Sequence, residues 1–522
     1  MKKILSVALL VLLLISNLSL VSCLNDISKI INPPKEEQEL EFSFRLNDDG
    51  ESYTLTGSSW GTTWDATWEP QDYTVKLPET HEGLPVTAIA DEAFMRTKCG
   101  RKIIIPASIQ SIGDRAFENC SLISAIEFEE NSQLTSIGDY AFSYCQYLEK
   151  IKIPASVTNI GEYAFSQCCR LTSLEFEPNS RLQTIRKHTF EATAITSVLI
   201  PDSVTNIESS AFWACSDLKN VQFSKSLINI GSYAFDWCGS LESIDIPSSV
   251  TEIGENAFSE CTSLKSIKIP ASVTNIGNCA FAESSSLITI SVDENNPNYK
   301  TIDGNLYSKD ETTFILYATG QKDKEFTVPD HVITISDGAF ARAKYLESII
   351  IPNSVTNMGN YTFYECPVLA SVVIPESITV IGNYVFSKTA FTSFEIPNHI
   401  TEIGERAFAG CQSLANVTIP DSVISIGSAA FSGCIALEVV VIPESVTRIN
   451  SYLFANCENL YSVTLPQSLK YLDVAIFENC KNLTYLNYMG TVDQWRKIGG
   501  SYDWDAGSRI FVIYCSDDSN YL

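Results

Sequence analysis

Apolar and polar positions along most of the chain repeat one phrase of 23 residues, written cleanly in Ile246-Pro-Ser-Ser-Val250-Thr-Glu-Ile253-Gly254-Glu-Asn-Ala257-Phe258-Ser-Glu-Cys261-Thr-Ser-Leu264-Lys-Ser-Ile267-Lys. The opening residue of the phrase occurs at sixteen positions from Ile105 to Leu465, and eleven of the fifteen spacings are 23. A fixed period of this length marks a solenoid, in which no unit buries its own apolar face and stacking completes the core. Within one coil, Leu264-x-x-Ile267-x-Ile269 alternates as a short strand with one buried face does, and Pro270 ends the strand because it has no N–H for the ladder. The Val-x-x-Ile-Gly turn and the Ala-Phe pair then return the chain, and that Phe recurs sixteen times between Phe94 and Phe477. The pattern predicts an α/β-type repeat solenoid of about sixteen coils, with a parallel β-sheet along one face.

The interruptions define the remaining segments. Phe42 to Gly57 alternates around Asp49-Gly50, a pair that supplies the positive φ of a tight turn, and so predicts a β-hairpin cap over 42–76. Repeats follow over 77–291. Between Val292 and Val328 the spacing is 36, and Asp303-Gly304 and Lys309-Asp310 among Ile302, Leu306, Phe314 and Leu316 predict a β island at 292–327. Asp293, Asn295 and Asn296 there read as turn residues, since the pattern of an EF-hand calcium loop is absent. Repeats resume over 328–487. The segment 488–522, with Tyr488-Met-Gly490-Thr491-Val-Asp-Gln494-Trp495 and Trp504, predicts a C-terminal cap rather than an aromatic platform for sugars.

The N-terminus adds a destination. Lys2 and Lys3 precede an apolar run from Ile4 to Ile15, which predicts an export signal over 1–22, too short for a stable membrane span. Leu20-Val21-Ser22-Cys23 resembles the lipobox of bacterial lipoproteins, which implies lipidation at Cys23 and a polar tether over 23–41. Several acyl chains on one Cys give a durable anchor where one chain does not. The expected location is therefore the bacterial outer membrane or cell surface, with the membrane reached through the lipid anchor alone. A formal charge of −27, from 62 Asp plus Glu against 35 Lys plus Arg, excludes nucleic acid as a natural partner.

The repeat phrase, matched in each coil at eight or more fixed offsets, resembles the BspA-like, treponemal-type leucine-rich repeat. The resemblance runs from about Phe42 to the C-terminus. It implies a horseshoe or arc with parallel strands on one face and irregular segments on the other. It also implies a surface protein, in some members an adhesin toward a host matrix or cell-surface protein.

Candidate chemistry changes this picture little. Eleven Cys, from Cys120 to Cys480, stand three residues after the repeat Phe, where other coils place Thr97, Thr193, Ser284, Ala343 and Thr389. A slot shared with Thr, Ser and Ala wants a small, weakly polar side chain, so a buried ladder of free thiols is expected. Cys99, Cys169, Cys279 and Cys515 lie outside the ladder and are open to disulfide pairing. Of the four His, His331 and His399 replace the Ser two residues after the repeat Pro. Thiolates at 23-residue intervals offer no Cys-x-x-Cys pincer, so no metal site is expected. No Gly-rich phosphate loop, His-Glu-x-x-His or nucleophile elbow appears, and neither an enzyme nor a cofactor is expected.

The outward position of the Leu-x-x-Ile-x-Ile strand separates the two halves of the chain, because side chains alternate across the pleat. Before the island it reads Ile104, Glu127, Lys152, Glu175, Leu199, Gln222, Asp245, Lys268 and Ser291. Glu127, Lys152 and Glu175 alternate in sign, as cross-strand pairs of a soluble face do. After the island, Glu395 aside, it reads Ile350, Val373, Thr418, Val441 and Thr464, and an outward row this poor in charge predicts a partner-binding face. The alternatives are a passive structural protein of the envelope, and a carbohydrate-binding module using Trp60, Trp64, Trp68, Trp495 or Trp504.

Overall fold

A computed structural model describes residues 41–58, 74–97, 100–501, 503–506, 512–517 and 520–521. Residues 1–40 with Cys23, and Trp60, Trp64, Trp68 and Cys99, lie outside the described residues. The chain is a parallel-strand solenoid of about 18 turns. It divides into two compact units, residues 1–264 with 270–280, and residues 265–269 with 281–522.

Each coil has three sides. The first carries strands of two to four residues, as in Lys150–Ile153 beside Ser173–Phe176, parallel and in register with Ile151 opposite Leu174. The second is a parallel ladder of two-residue strands, such as Asn229–Ile230, Glu252–Ile253 and Asn275–Ile276. The resemblance implied irregular segments away from the main sheet, and the second ladder is a difference from that expectation. Two residues around each repeat Ile suffice to bond with the coils on either side, which satisfies backbone groups that burial would otherwise leave orphaned.

The third side holds the Ala-Phe pair. Here Arg115, Phe117 and Asn119 donate their N–H groups to the carbonyls of Asp139, Ala141 and Ser143 in the next coil, at 2.8, 2.7 and 2.7 Å. Residues on either side of Ala-Phe take positive φ without being glycine, for example Tyr140 at 57° and Tyr144 at 59°. Coil-to-coil hydrogen bonds on both flanks hold these residues against their left-handed strain.

The core is a set of columns. In the first unit Phe117 and Phe142 stack at 5.2 Å, and Phe235 and Phe258 at 5.3 Å. In the second unit Phe363 stacks on Phe386 at 5.6 Å, and these rings are wholly buried. After the second-ladder Ile, close approach of the preceding coil favours Gly, although Arg186 and Glu208 stand there in two coils. A Cβ on Gly254 would lie 2.4 Å from the backbone nitrogen of Ser232 in the preceding coil, and φ at Gly254 is not in the positive region.

The hairpin Phe42–Leu46 with Tyr53–Ser58 is antiparallel, and its second strand pairs in parallel with Leu84–Ile89 of the first coil. At the island, Tyr299–Ile302, Asn305–Ser308 and Thr313–Leu316 form an antiparallel meander. Its last strand joins the second ladder against Thr334–Ile335, and Phe314 stacks on Phe340 at 4.8 Å in the Phe column. The island thus supplies a rung of the core that the repeat phrase omits.

At the other end the chain forms a helix, Val492–Trp495, the one helix among the described residues. Thr491 and Gln494 form a reciprocal capping box at its start. Trp495 packs edge-on to Tyr488 and Trp504, and Trp504 against Phe477.

Candidate partner-binding face

The strand face of the second unit is positioned by the first-side ladder. Thr327, Ile350 and Val373 stand opposite one another on consecutive strands. Glu395 and Thr418 do the same, and Val441 is followed in register by Thr464, Asn487 and Tyr514. Inward residues between them, such as Ile349 and Val440, are buried, so the alternation forces this row outward. Ile350, Val373 and Val441 are 52%, 56% and 58% exposed. Thr418 is exposed and Thr464 half-buried.

Sequence reasoning missed part of this surface. Val439, two residues before Val441, is also exposed, and its register partners run through Ser462 and Tyr485 to Val512. The rings of Tyr485 and Tyr514 lie 5.9 Å apart on the outer side, both exposed. The run Val439-Val440-Val441 was the available signal, but a strand explains three valines by propensity alone. Tyr514 lies beyond the repeat phrase, where no offset assigns a face.

The strand face of the first unit is built differently. Lys102 pairs with Glu127 at 2.7 Å, Lys152 with Glu177 at 3.5 Å and Lys76 with Glu129 at 2.6 Å. The sign alternation of Glu127, Lys152 and Glu175 is therefore not a chain of direct pairs. Lys152 stands opposite Glu175, yet its ammonium reaches Glu177, two residues further along the same strand direction. Leu199, 61% exposed, is an isolated apolar residue between Glu175 and Gln222 in that row.

Other candidates resolve into structure. All eleven ladder thiols are free and buried, and burial pushes Cys168 up to about 12 and Cys215 up to about 11. A thiol held protonated is neither a nucleophile nor a metal ligand. Cys279 and Cys515 are free, whereas Cys169 is disulfide-bonded. Asp293 accepts from the backbone of Asn295 at 3.0 Å, and Asn296 from that of Asn298 at 2.9 Å, as turn residues do. Among the described residues no group of three His, Cys, Asp or Glu is placed to hold a metal. A shallow depression of about 250 Å³ in the first unit is lined by polar residues such as Thr158, Gln183, Arg186 and Glu208. It lacks the apolar walls of a small-molecule site.

Residues 87–219, 183–313, 316–390 and 379–498 match the family model of the BspA type leucine rich repeat region, a model that spans six copies of the repeat. The chain belongs to this family. A leucine rich cell surface protein from Faecalibacterium prausnitzii is similar at 26% identity over 90% of this chain and 98% of that one, with a TM-score of 0.44. A leucine-rich repeat protein from Bacteroides ovatus is similar at 23% identity over 92% and 100%, with a TM-score of 0.43. The leucine-rich repeat protein of T. pallidum is similar at 24% identity over 45% and 90%, with a TM-score of 0.32. None of the curated proteins matches the chain. The Leu-x-x-Ile-x-Ile strands of the BspA-type repeat are the elements that carry the exposed row.

Proposed function

We propose that this BspA-type repeat protein is displayed on the cell surface and captures protein partners on the strand face of its second unit, as an adhesin or host-interaction protein. The observation that carries the reading is the outward row at Ile350, Val373 and Val441, each more than half exposed on a face that needs no apolar residue for its own folding. The partner class is a host matrix or cell-surface protein, and the reading assigns no reaction and no cofactor. Lipid on Cys23 holds the protein at the outer membrane or cell surface, and the signal over 1–22 delivers it there.

The passive-envelope alternative gives the apolar row no purpose. The carbohydrate alternative loses two of its residues, because Trp495 and Trp504 pack into the terminal cap against Tyr488 and Phe477. The test is capture by the soluble protein, residues 24–522, against matrix proteins, envelope proteins and glycans side by side. Saturable protein capture is the expected result, and binding confined to glycans sinks the reading.

A further inference from the structure

Given that the second unit's strand face is the binding surface, its charge specifies what kind of protein segment fits it. Past the island, and so beyond Lys268 on the unit's first strand, two rows run along the strands from Glu325–Thr327 to Val512–Cys515, outward except at buried Ser462. Their formal charges are Glu325 and Glu395, and neither row contains Lys or Arg. Both carboxylates are exposed, and neither has an ion pair among the described residues. The first unit's face carries lysines beside its acids, as in the 2.7 Å pair of Lys102 with Glu127.

Position makes Glu395 decisive. It stands in the coil after Val373, opposite Thr418, with Val441 in the coil beyond. A partner that covers Val373 and Val441 therefore removes water from the Glu395 carboxylate between them. Burying a carboxylate without a counter-charge costs more than a few apolar contacts return. Only a partner that brings a cation to that point gains from the apolar row. An anionic surface is excluded by the same argument, whether phosphate backbone or acidic lipid.

We propose that the face recognises a cationic and apolar protein segment, with Lys or Arg meeting Glu395 and apolar side chains covering Val373 and Val441. Charge steers the segment in and fixes its register, and the apolar row holds it. Binding is consequently salt-sensitive in its association rate.

The test uses three dye-labelled peptides of equal length, alternating Leu with Lys, Leu with Glu, and Ser with Lys, in fluorescence anisotropy with the purified protein. The Leu/Lys peptide is expected to bind, and the other two to bind at least about tenfold more weakly. Glu325→Gln with Glu395→Gln should weaken Leu/Lys binding by about tenfold, while Glu127→Gln with Glu175→Gln, an equal change in net charge, leaves it unaltered. Val373→Ser with Val441→Ser should weaken it to a similar degree. Equal losses from the two Gln pairs would mean diffuse attraction to an acidic protein and overturn the proposal. Loss on the Val pair with none on Glu325 and Glu395 overturns the cation requirement and leaves the face as the binding surface. No loss on the Val pair overturns the face itself.

Discussion

The thiol of Cys120 donates to the backbone carbonyl of Phe94 in the preceding coil, Sγ to O 2.9 Å. The relationship repeats from Cys238 to Phe212 at 3.3 Å and from Cys457 to Phe431 at 3.2 Å. Where Thr fills the slot, Thr193 donates instead to Phe190 of its own coil at 2.9 Å. The slot thus favours a small hydrogen-bond donor, with Ala343 the exception that keeps only the small size, and a disulfide there would remove the donor from each coil it joined.

This ladder predicts alkaline sensitivity. Burial raises the thiols from an ordinary value near 9.0, up to about 11 for Cys411 and about 12 for Cys366 and Cys480. The folded state keeps its thiol protons where the unfolded chain has lost them. Their contribution is fully present below pH 9 and is lost as pH rises toward 11 to 12, by about 1.4 kcal/mol per thiol per pH unit. Urea midpoints measured at about pH 7.5, 9 and 10.5 should be level over the first interval and fall sharply over the second. A midpoint that holds at the highest pH contradicts the assignment.

The same thiols should be unreactive until the fold opens. Iodoacetamide applied to the native protein without reductant is expected to leave Cys238, Cys261, Cys434 and Cys457 unmodified, and to alkylate all four after urea unfolding. Mass spectra showing any two of them linked would contradict the ladder.

Glycine at the turn should matter by what stands opposite it. Gly254→Ala places a methyl 2.4 Å from backbone of the preceding coil, and overpacking of this kind costs about 1–3 kcal/mol. At Gly382 the nearest atom is the side-chain oxygen of Asn360 at 2.9 Å, a side chain that can shift at the cost of the bond it accepts from the Asn383 N–H, whereas backbone cannot. Urea unfolding should rank Gly254→Ala well below Gly382→Ala in stability. Equal losses would mean that backbone approach is not what fixes the glycine.

Cys23→Ala should abolish labelling by radioactive palmitate and move the protein from the detergent phase to the aqueous phase. Label retained on the variant would place the anchor elsewhere or remove it from the account.

The period and the strand alternation were legible because a stacked coil must repeat its buried positions at fixed offsets. Phe258, Cys261 and Ile267 are all buried, as their offsets require. What stayed hidden depends on contacts between coils. The two-residue strand Glu252–Ile253 is too short for a periodicity of its own. The positive φ at Tyr140 and Tyr144 falls on a residue type that carries no such signal. The helix at Val492–Trp495 has a sequence signal in the capping-box spacing of Thr491 and Gln494, although the aromatic residues around it point only to a cap. On the second unit's strand face, the outward positions of Ile350, Val373 and Val441 were legible from strand parity. Val439 and Tyr514 were not, because one hides in a valine run and the other lies outside the repeat.

Docking of partners on the second unit's strand face can be tested head-on. The most direct measurement compares ligand capture by Val373→Lys with Val441→Lys against Glu127→Lys with Glu175→Lys, at matched folded stability. Capture should fall by about tenfold or more for the valine pair and stay near wild type for the glutamate pair. Full capture by the valine pair together with loss in the glutamate pair would contradict docking there and place the site on the first unit.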